Sequence, residues 1–401
     1  MSKNKTFKVK RSKGRLYKKK KSAGRKVLEV ILLVVIAGGL GFLGYSMAGP
    51  LISYIQEGGK ESVTTPWEPP ESSTPEESES SDTSDSESAD TTTQPVSNAS
   101  GSYLLPVTAL TNQGALTQAL NTAQSAGCSV IIVPVKNGEG NLLYSSQLGG
   151  IEGTDLVKGN MAAGQIVSVI KDRGFTSVKA LLPTLYDRTT PLYVEDTGYR
   201  FADDSYGWLD AAAENGGKPW VDPFRTGTKQ YYSSLAGELI QAGFDEILLS
   251  ELRFPAFEVY DETILEAKNF TPTRYTALTT LYRSTNSAAS NKAAVAINIA
   301  DVLKGYGQSF GGTAEILSDK SFTGTVYLTI KLTDFGTRLA TGDTASIVLP
   351  TDPVQKAEAL VSRAVGYIGT NVTVVPVIEP AGLSAEALGR CYEQLTVHST
   401  Q

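Results

Sequence analysis

Five acidic side chains stand at the far ends of apolar, β-branched runs: Asp187, Glu251, Asp301, Asp334 and Glu379. Two carboxyl groups facing one bond can hydrolyse a glycoside. They stand about 5–5.5 Å apart when configuration is retained and about 6.5–9.5 Å apart when it is inverted. Glu251 with Glu379 is the preferred catalytic pair, and Asp187 is the substitute. For Asp301 and Asp334 the stronger reading is helix capping or plain solvation. Glu379-Pro380 equally suits a simple strand end. The only histidine, His398, stands three residues from the end of the chain. A His-based zinc site and a Ser-His-Asp triad inside the domain are therefore excluded. Acid–base work falls to carboxylates, Tyr or Lys, and no metal or cofactor is expected.

Groups able to bind a sugar cluster near Glu251. Arg253 offers a planar donor fork that holds a carboxylate or sugar hydroxyls, and it serves equally well as a structural partner of Glu251. Tyr186, Tyr193, Tyr199, Tyr206, Trp208 and Trp220 crowd one loop. That loop runs for about 40 residues without evident regular structure, a length uncommon in compact domains unless it is functional. Aromatic faces stack on sugar C–H surfaces, so the loop suits a glycan cleft, with Asp203, Asp204 and Asp210 adding polar contacts. The competing reading is that Trp220 and Phe224 pack the loop onto the domain.

The elements that must position these groups alternate in type. Strands are expected at 103–110, 130–136, 177–186, 246–252, 294–300, 324–332, 345–349 and 372–378. Helices are expected at 113–126, 161–172, 228–242, 273–287, 353–368 and 384–395. The run Val-Ile-Ile-Val-Pro-Val at 130–135 reads as a strand buried on both faces. Ala-Gly stops a helix before Gly127 and again before Gly243. Eight such units in about 300 residues make an α/β fold, a (β/α)8 TIM barrel, at 102–401. The gap between strands six and seven is too short for a full helix. An open doubly wound sheet is the rival, but the Gly-rich phosphate turn of its nucleotide-binding forms is missing.

Three segments carry a family resemblance. Lys218-Pro219-Trp220-Val221-Asp222-Pro223-Phe224 precedes a helix. Gly243-Phe244-Asp245-Glu246-Ile247 enters the fourth strand, and Ser250-Glu251-Leu252-Arg253-Phe254-Pro255 closes it. Together they resemble the glycosyl-hydrolase-like barrel family of bacterial surface proteins, distantly akin to the alpha-amylase clan. Val135-Lys136, its polar loop and Leu143-Tyr144 are similar to that family's second-strand region. The resemblance covers the N-terminal half of the domain, and the last four strands fit by pattern only. It implies a carbohydrate-active site in which Arg253, Trp220, Asp222, Tyr186 and Lys136 bind substrate. Two departures matter. The family's acid closing strand four aligns with Ser250, and its second-strand Asp aligns with Pro134. Adjacent strand residues point to opposite faces, so Glu251 reaches the pocket only through a bulge or a one-residue register shift. The resemblance therefore allows a glycoside hydrolase acting on cell-envelope or extracellular polysaccharide. It also allows an inactive barrel that binds glycan or a protein partner, or a purely structural envelope protein.

The rest of the chain addresses location. The first 26 residues hold 13 Lys or Arg and no acid. The apolar stretch at 27–55 is long enough to cross a bilayer, and the positive-inside rule keeps the basic tail cytoplasmic. A cleaved signal peptide is the alternative, but its apolar core would be shorter. Residues 56–101, rich in Ser, Thr, Glu, Asp and Pro, read as a disordered acidic linker. These segments predict a single-pass membrane protein whose C-terminal domain is extracellular. The net charge of −6 includes that basic tail, so the rest is acidic and nucleic acid is not an expected partner. Cys128 and Cys391 fall near the ends of the first and last helices, where a disulfide and two buried thiols are both open.

Overall fold

A computed structural model describes residues 101–306, 309–369, 371–395 and 398–399, all within one compact unit, Thr91–Gln401. The basic tail, the membrane helix expected at 27–55 and the linker up to Ser100 lie outside the described residues. Among those described, no helix is long and apolar enough to cross a membrane.

Seven parallel strands form a nearly closed, TIM-like barrel. They are β1 (Ser102–Leu104), β2 (Val130–Pro134), β3 (Ser177–Pro183), β4 (Glu246–Ser250), β5 (Ala293–Asn298), β6 (Gly324–Ile330) and β9 (Val372–Ile378). Neighbours in sequence pair side by side from β1 to β6, and β6 then pairs with β9. Helices α1 (Gln113–Ser125), α2 (Ala163–Lys171), α4 (Thr226–Gln241), α6 (Tyr275–Ala288), α7 (Ile299–Lys304), α8 (Pro353–Ile368) and α9 (Ala385–Gln394) surround them. Two further single-turn helices, α3 (Thr190–Tyr193) and α5 (Asp261–Ile264), belong to loops. Local chemistry sets the boundaries. The Asn112 side chain accepts from the Ala115 N–H and caps α1, and Asp352 caps α8 through the Val354 and Gln355 N–H groups. Gly127 and Gly243 adopt φ of +68° and +100°, left-handed conformations in which a Cβ is penalised.

Strand alternation separates two apolar layers. Ile132, Leu248, Ala294, Ala296, Tyr327 and Val377 meet inside the barrel, while residues such as Ile131, Val133, Leu249 and Val295 face the helices. Near the start of β4 the interior turns polar. Lys179 Nζ and Tyr327 Oη both donate to Glu246 Oε2, at 2.8 and 2.6 Å. Burial and the nearby Glu246 push the Tyr327 phenol pKa up.

The barrel closes by a side chain where β1 approaches β9. The buried Tyr392 hydroxyl donates to the Ser102 carbonyl and accepts the Ile378 N–H at 2.9 Å. Lower on the same edge, β10 (His398–Ser399) pairs antiparallel with β9. Cys128 and Cys391 are free and buried, so the two-thiol alternative holds.

The expected strand at 345–349 is a correction. Its residues form β8 (Ser346–Val348), paired antiparallel with β7 (Arg338–Ala340) in a separate exposed ribbon. The barrel accordingly has seven parallel strands in place of eight. The reason is topological. A parallel strand requires the chain to return to the barrel's other end, usually through a helix. After β6 the chain makes only the 3-10 turn Leu332–Asp334, and the ribbon then pairs locally. The crossover is supplied by α8, which leads to β9. The expected first strand is also shorter, because 107–110 forms a 3-10 turn.

Candidate functional site

Strand β4 ends at Ser250, in the inward register shared with Leu248. At Glu251 the backbone turns left-handed, with φ of +56°. For a residue with a side chain this costs about 1–2 kcal/mol, and such outliers gather at functional sites. The turn is held from both sides. The Ser250 carbonyl accepts the Thr184 N–H at 2.9 Å, and the Glu251 carbonyl accepts those of Leu185 and Arg253 at 3.2 and 2.9 Å. Strict in–out alternation stops here. Leu252 is buried, whereas the Glu251 side chain keeps 26 % of its surface exposed.

Arg253 fixes that carboxylate. Its Nε donates to Glu251 Oε2 at 2.7 Å. Its guanidinium carbon lies 4.7 Å from the Tyr186 ring centre and 5.2 Å from that of Trp220. The two rings meet edge-on with centres 4.8 Å apart. Arg188 also stacks on Tyr186, at 5.0 Å. Asp210 anchors the group by accepting Trp220 Nε1 at 3.0 Å and the Lys218 N–H at 2.7 Å. Glu251, Arg253, Tyr186 and Trp220, separated by up to 67 positions in sequence, thus form one cluster at the C-terminal end of β4.

Glu379 follows β9, and its N–H extends the ladder to the Ile330 carbonyl at 2.9 Å. Burial raises its carboxyl pKa above the ordinary 4.5. The Lys331 ammonium opposes that rise and the Asp334 carboxylate adds to it. Lys331 and Asp334 themselves pair at 3.4 Å. Strands β5 and β6 lie between β4 and β9, and Glu251 and Glu379 follow the C-terminal ends of β4 and β9, the end of a barrel where active sites lie.

Several other candidates hold the scaffold. Asp187 is fully buried. Its Oδ1 accepts the Thr189 and Thr190 N–H groups at 3.0 and 2.8 Å, and its Oδ2 receives Lys136, Tyr232 and the Thr190 hydroxyl. Lys136 is also buried, over the Tyr232 ring at 5.0 Å. Neither side chain faces solvent. Asp222 is 3 % exposed and accepts the Phe224 N–H at 2.9 Å and Arg225 Nε at 3.3 Å, shaping the entry to α4. Asp301 binds the Thr313 N–H and hydroxyl at 2.9 and 2.7 Å. Tyr199 and Trp208 are buried against Phe257, whereas Tyr206 is exposed. Among the described residues, no group of three or more His, Cys, Asp or Glu side chains is arranged to hold a metal ion.

Sequence reasoning missed Glu315 and Arg274. Glu315 lies in the 3-10 helix Gly312–Ser318 and is 8 % exposed. Its Oε2 accepts the Phe254 N–H at 2.6 Å, and Arg274 reaches its Oε1 at 3.2 Å. Burial raises its pKa, with Arg274 and Arg253 among the opposing influences. It pins the residue next to Arg253 from 61 positions away, a separation that no local spacing rule could flag.

Residues 102–310 match the family described as "putative glycosyl hydrolase domain". No curated protein matches the chain. Among solved structures, a hypothetical protein from Ruminiclostridium thermocellum is similar with a TM-score of 0.40 and 15% identity, over 48% of this chain and 96% of that one. The catalytic domain of a beta-amylase from Paenibacillus polymyxa is similar at 0.40 and 10% identity, over 74% and 97%. Alpha-L-fucosidase isoenzyme 2 from Paenibacillus thiaminolyticus is similar at 0.39 and 11% identity, over 73% of this chain and 48% of that one. Likenesses this distant carry no functional argument.

Two outcomes are expected. Asp187→Ala leaves the Lys136 ammonium buried without its partner and lowers unfolding stability by about 3–5 kcal/mol in urea titrations. The double change Lys136→Met, Asp187→Leu should cost less, because no charge is then left unpaired. The second concerns Glu379. Its folded carboxyl holds the proton more tightly than the unfolded one. The stability linked to it is therefore full below the ordinary 4.5 and declines as pH rises through the folded value. Glu379→Gln is neutral throughout. Its melting temperature relative to wild type should rise from about pH 4 to about pH 7, and a flat difference would contradict the raised carboxyl.

Proposed function

The chain belongs to the putative glycosyl hydrolase domain family, and from this premise we propose that it is a cell-surface glycoside hydrolase acting on cell-envelope or extracellular polysaccharide. The observation carrying this reading is the left-handed turn at Glu251, which frees the carboxylate from strand alternation while Arg253, clamped by Tyr186 and Trp220, orients it.

Roles follow from environment. A carboxyl with a raised pKa keeps its proton long enough to serve as general acid. Glu379 has that environment and would protonate the departing glycosidic oxygen. Glu251, held as the partner of a guanidinium, would act as the base or nucleophile from the other side of the sugar. Tyr186 would contribute to positioning the sugar, whereas the buried Trp220 would act through Arg253, which stacks on it. Glu379→Gln and Glu251→Gln should each reduce sugar release from a responsive polysaccharide by about 10²–10⁴-fold while leaving binding in place. Unchanged release in either variant removes that residue from the chemistry.

A second reading is favoured by one observation. Ser250, without a carboxylate, occupies the inward register at the end of β4, and the Glu251 charge is already satisfied by Arg253. The barrel would then bind glycan without cleaving it. Retention by a polysaccharide with no release by wild type decides for this reading.

Residues 27–55 would span the membrane once, with the basic tail in the cytoplasm. An epitope fused after Gln401 should then be cleaved by protease added to cells stripped of their wall but otherwise intact. Protection of the epitope until the membrane is opened would reverse the topology.

A further inference from the structure

A cavity of about 480 Å³ adjoins Arg253, lined mainly by the chain that follows β4 and also by Gly312 and Glu315. Its floor carries Phe254, Phe257 and Phe270, and polar groups converge on it from Arg274, Glu258 and Glu262. The exposed lining is more polar than apolar, which suits a hydroxyl-rich ligand better than an apolar one, and the volume falls within the usual range of about 300–1,000 Å³. Arg253 belongs to both places. It lines this cavity and donates its Nε to Glu251.

The cavity is built rigidly. Glu315 ties the Phe254 N–H to Arg274. Phe257 packs edge-on against Tyr199 and Phe270, with ring centres 5.6 and 5.1 Å away. Asp261 accepts Trp208 Nε1 at 2.6 Å and the Glu258 N–H at 2.7 Å, joining the loop after β3 to the loop after β4. Directly beside that joint, Val259 and Tyr260 are 85 % and 68 % exposed. An aromatic ring held at the surface by a fixed backbone presents its face with little ordering cost. Glu258 and Glu262 form no ion pair among the described residues, which leaves both carboxylates able to accept from hydroxyl groups.

Resting on the hydrolase reading above, we propose that this cavity is a second glycan subsite. A polysaccharide chain would cross from Glu251 over Arg253, lie on the phenylalanine floor with its hydroxyls on Glu258 and Glu262, and leave over the face of Tyr260. The substrate class is then a polymer engaged over several sugar units, and a single terminal sugar would use only part of the site.

The test uses the full-length chain in mild detergent, run through native gels containing xylan, laminarin, glycol chitin or carboxymethylcellulose. Wild type is expected to be retarded by at least one of them. Tyr260→Ala and Glu262→Gln should each weaken that retardation by about five- to tenfold, and Tyr260→Trp should preserve it. Cleavage of short oligosaccharides should not change. Both side chains lie on the surface, and equal melting temperatures will show that the fold is kept. Equal retardation of Tyr260→Ala and wild type overturns the subsite. Absence of retardation by all four polymers overturns it as well. The hydrolase reading is judged separately, by whether sugar release disappears in Glu251→Gln.

Discussion

The buried pairing of Lys136 with Asp187 is the constraint on which the candidate site depends. Removing an ammonium and a carboxylate from water costs several kcal/mol per ion, and the cost is offset only when the remaining hydrogen-bonding capacity is filled. Here it is filled. Asp187 receives two backbone N–H groups, two hydroxyls and the ammonium. The pair thereby joins the end of β2 to the start of the long loop after β3, and Tyr232 brings α4 into the same knot. Gly140 belongs to it too, because a Cβ there would lie 1.8 Å from the Asp187 carboxylate. Tyr186 and Arg188 flank Asp187 in sequence, so the knot also sets where the stacking platform for Arg253 stands.

From that platform the order passes to Glu251. Its left-handed backbone is costly and is retained because three carbonyl hydrogen bonds and the Arg253 ion pair act on adjacent residues. Arg253 is stacked on two rings, and the residue after it is held by Glu315. Surface ion pairs contribute little when both partners are free to move. This pair is partly shielded and its arginine is already immobilised, so the entropy of bringing the two groups together is largely spent elsewhere.

The barrel itself is held by different means. Interior alternation supplies the apolar layer, and the Tyr392 hydroxyl bridges β1 and β9 where no strand-to-strand ladder joins them. On the β9 side of this seam the short β10 pairs antiparallel with β9.

Much of this was legible in the residues alone. All seven parallel strands, β1 only in part, and the main helices follow from apolar period, Ala-Gly stops and capping residues, because those signals act within a few positions. The aromatic residues of the loop after β3 were equally visible in the sequence, and several of them pack together there. Three matters belonged to the tertiary structure. The short gap before 345–349 was visible in the sequence, but that the run pairs locally with Arg338–Ala340 and does not enter the barrel was not. Whether Asp187 faces solvent or Lys136 depends on partners up to 51 positions away. The course of Glu251 at the end of β4 depends on a single backbone dihedral, stabilised by contacts from β3's extension and from Arg253. Local sequence encodes periodicity, but burial and pairing are properties of chain segments brought together only when the barrel closes.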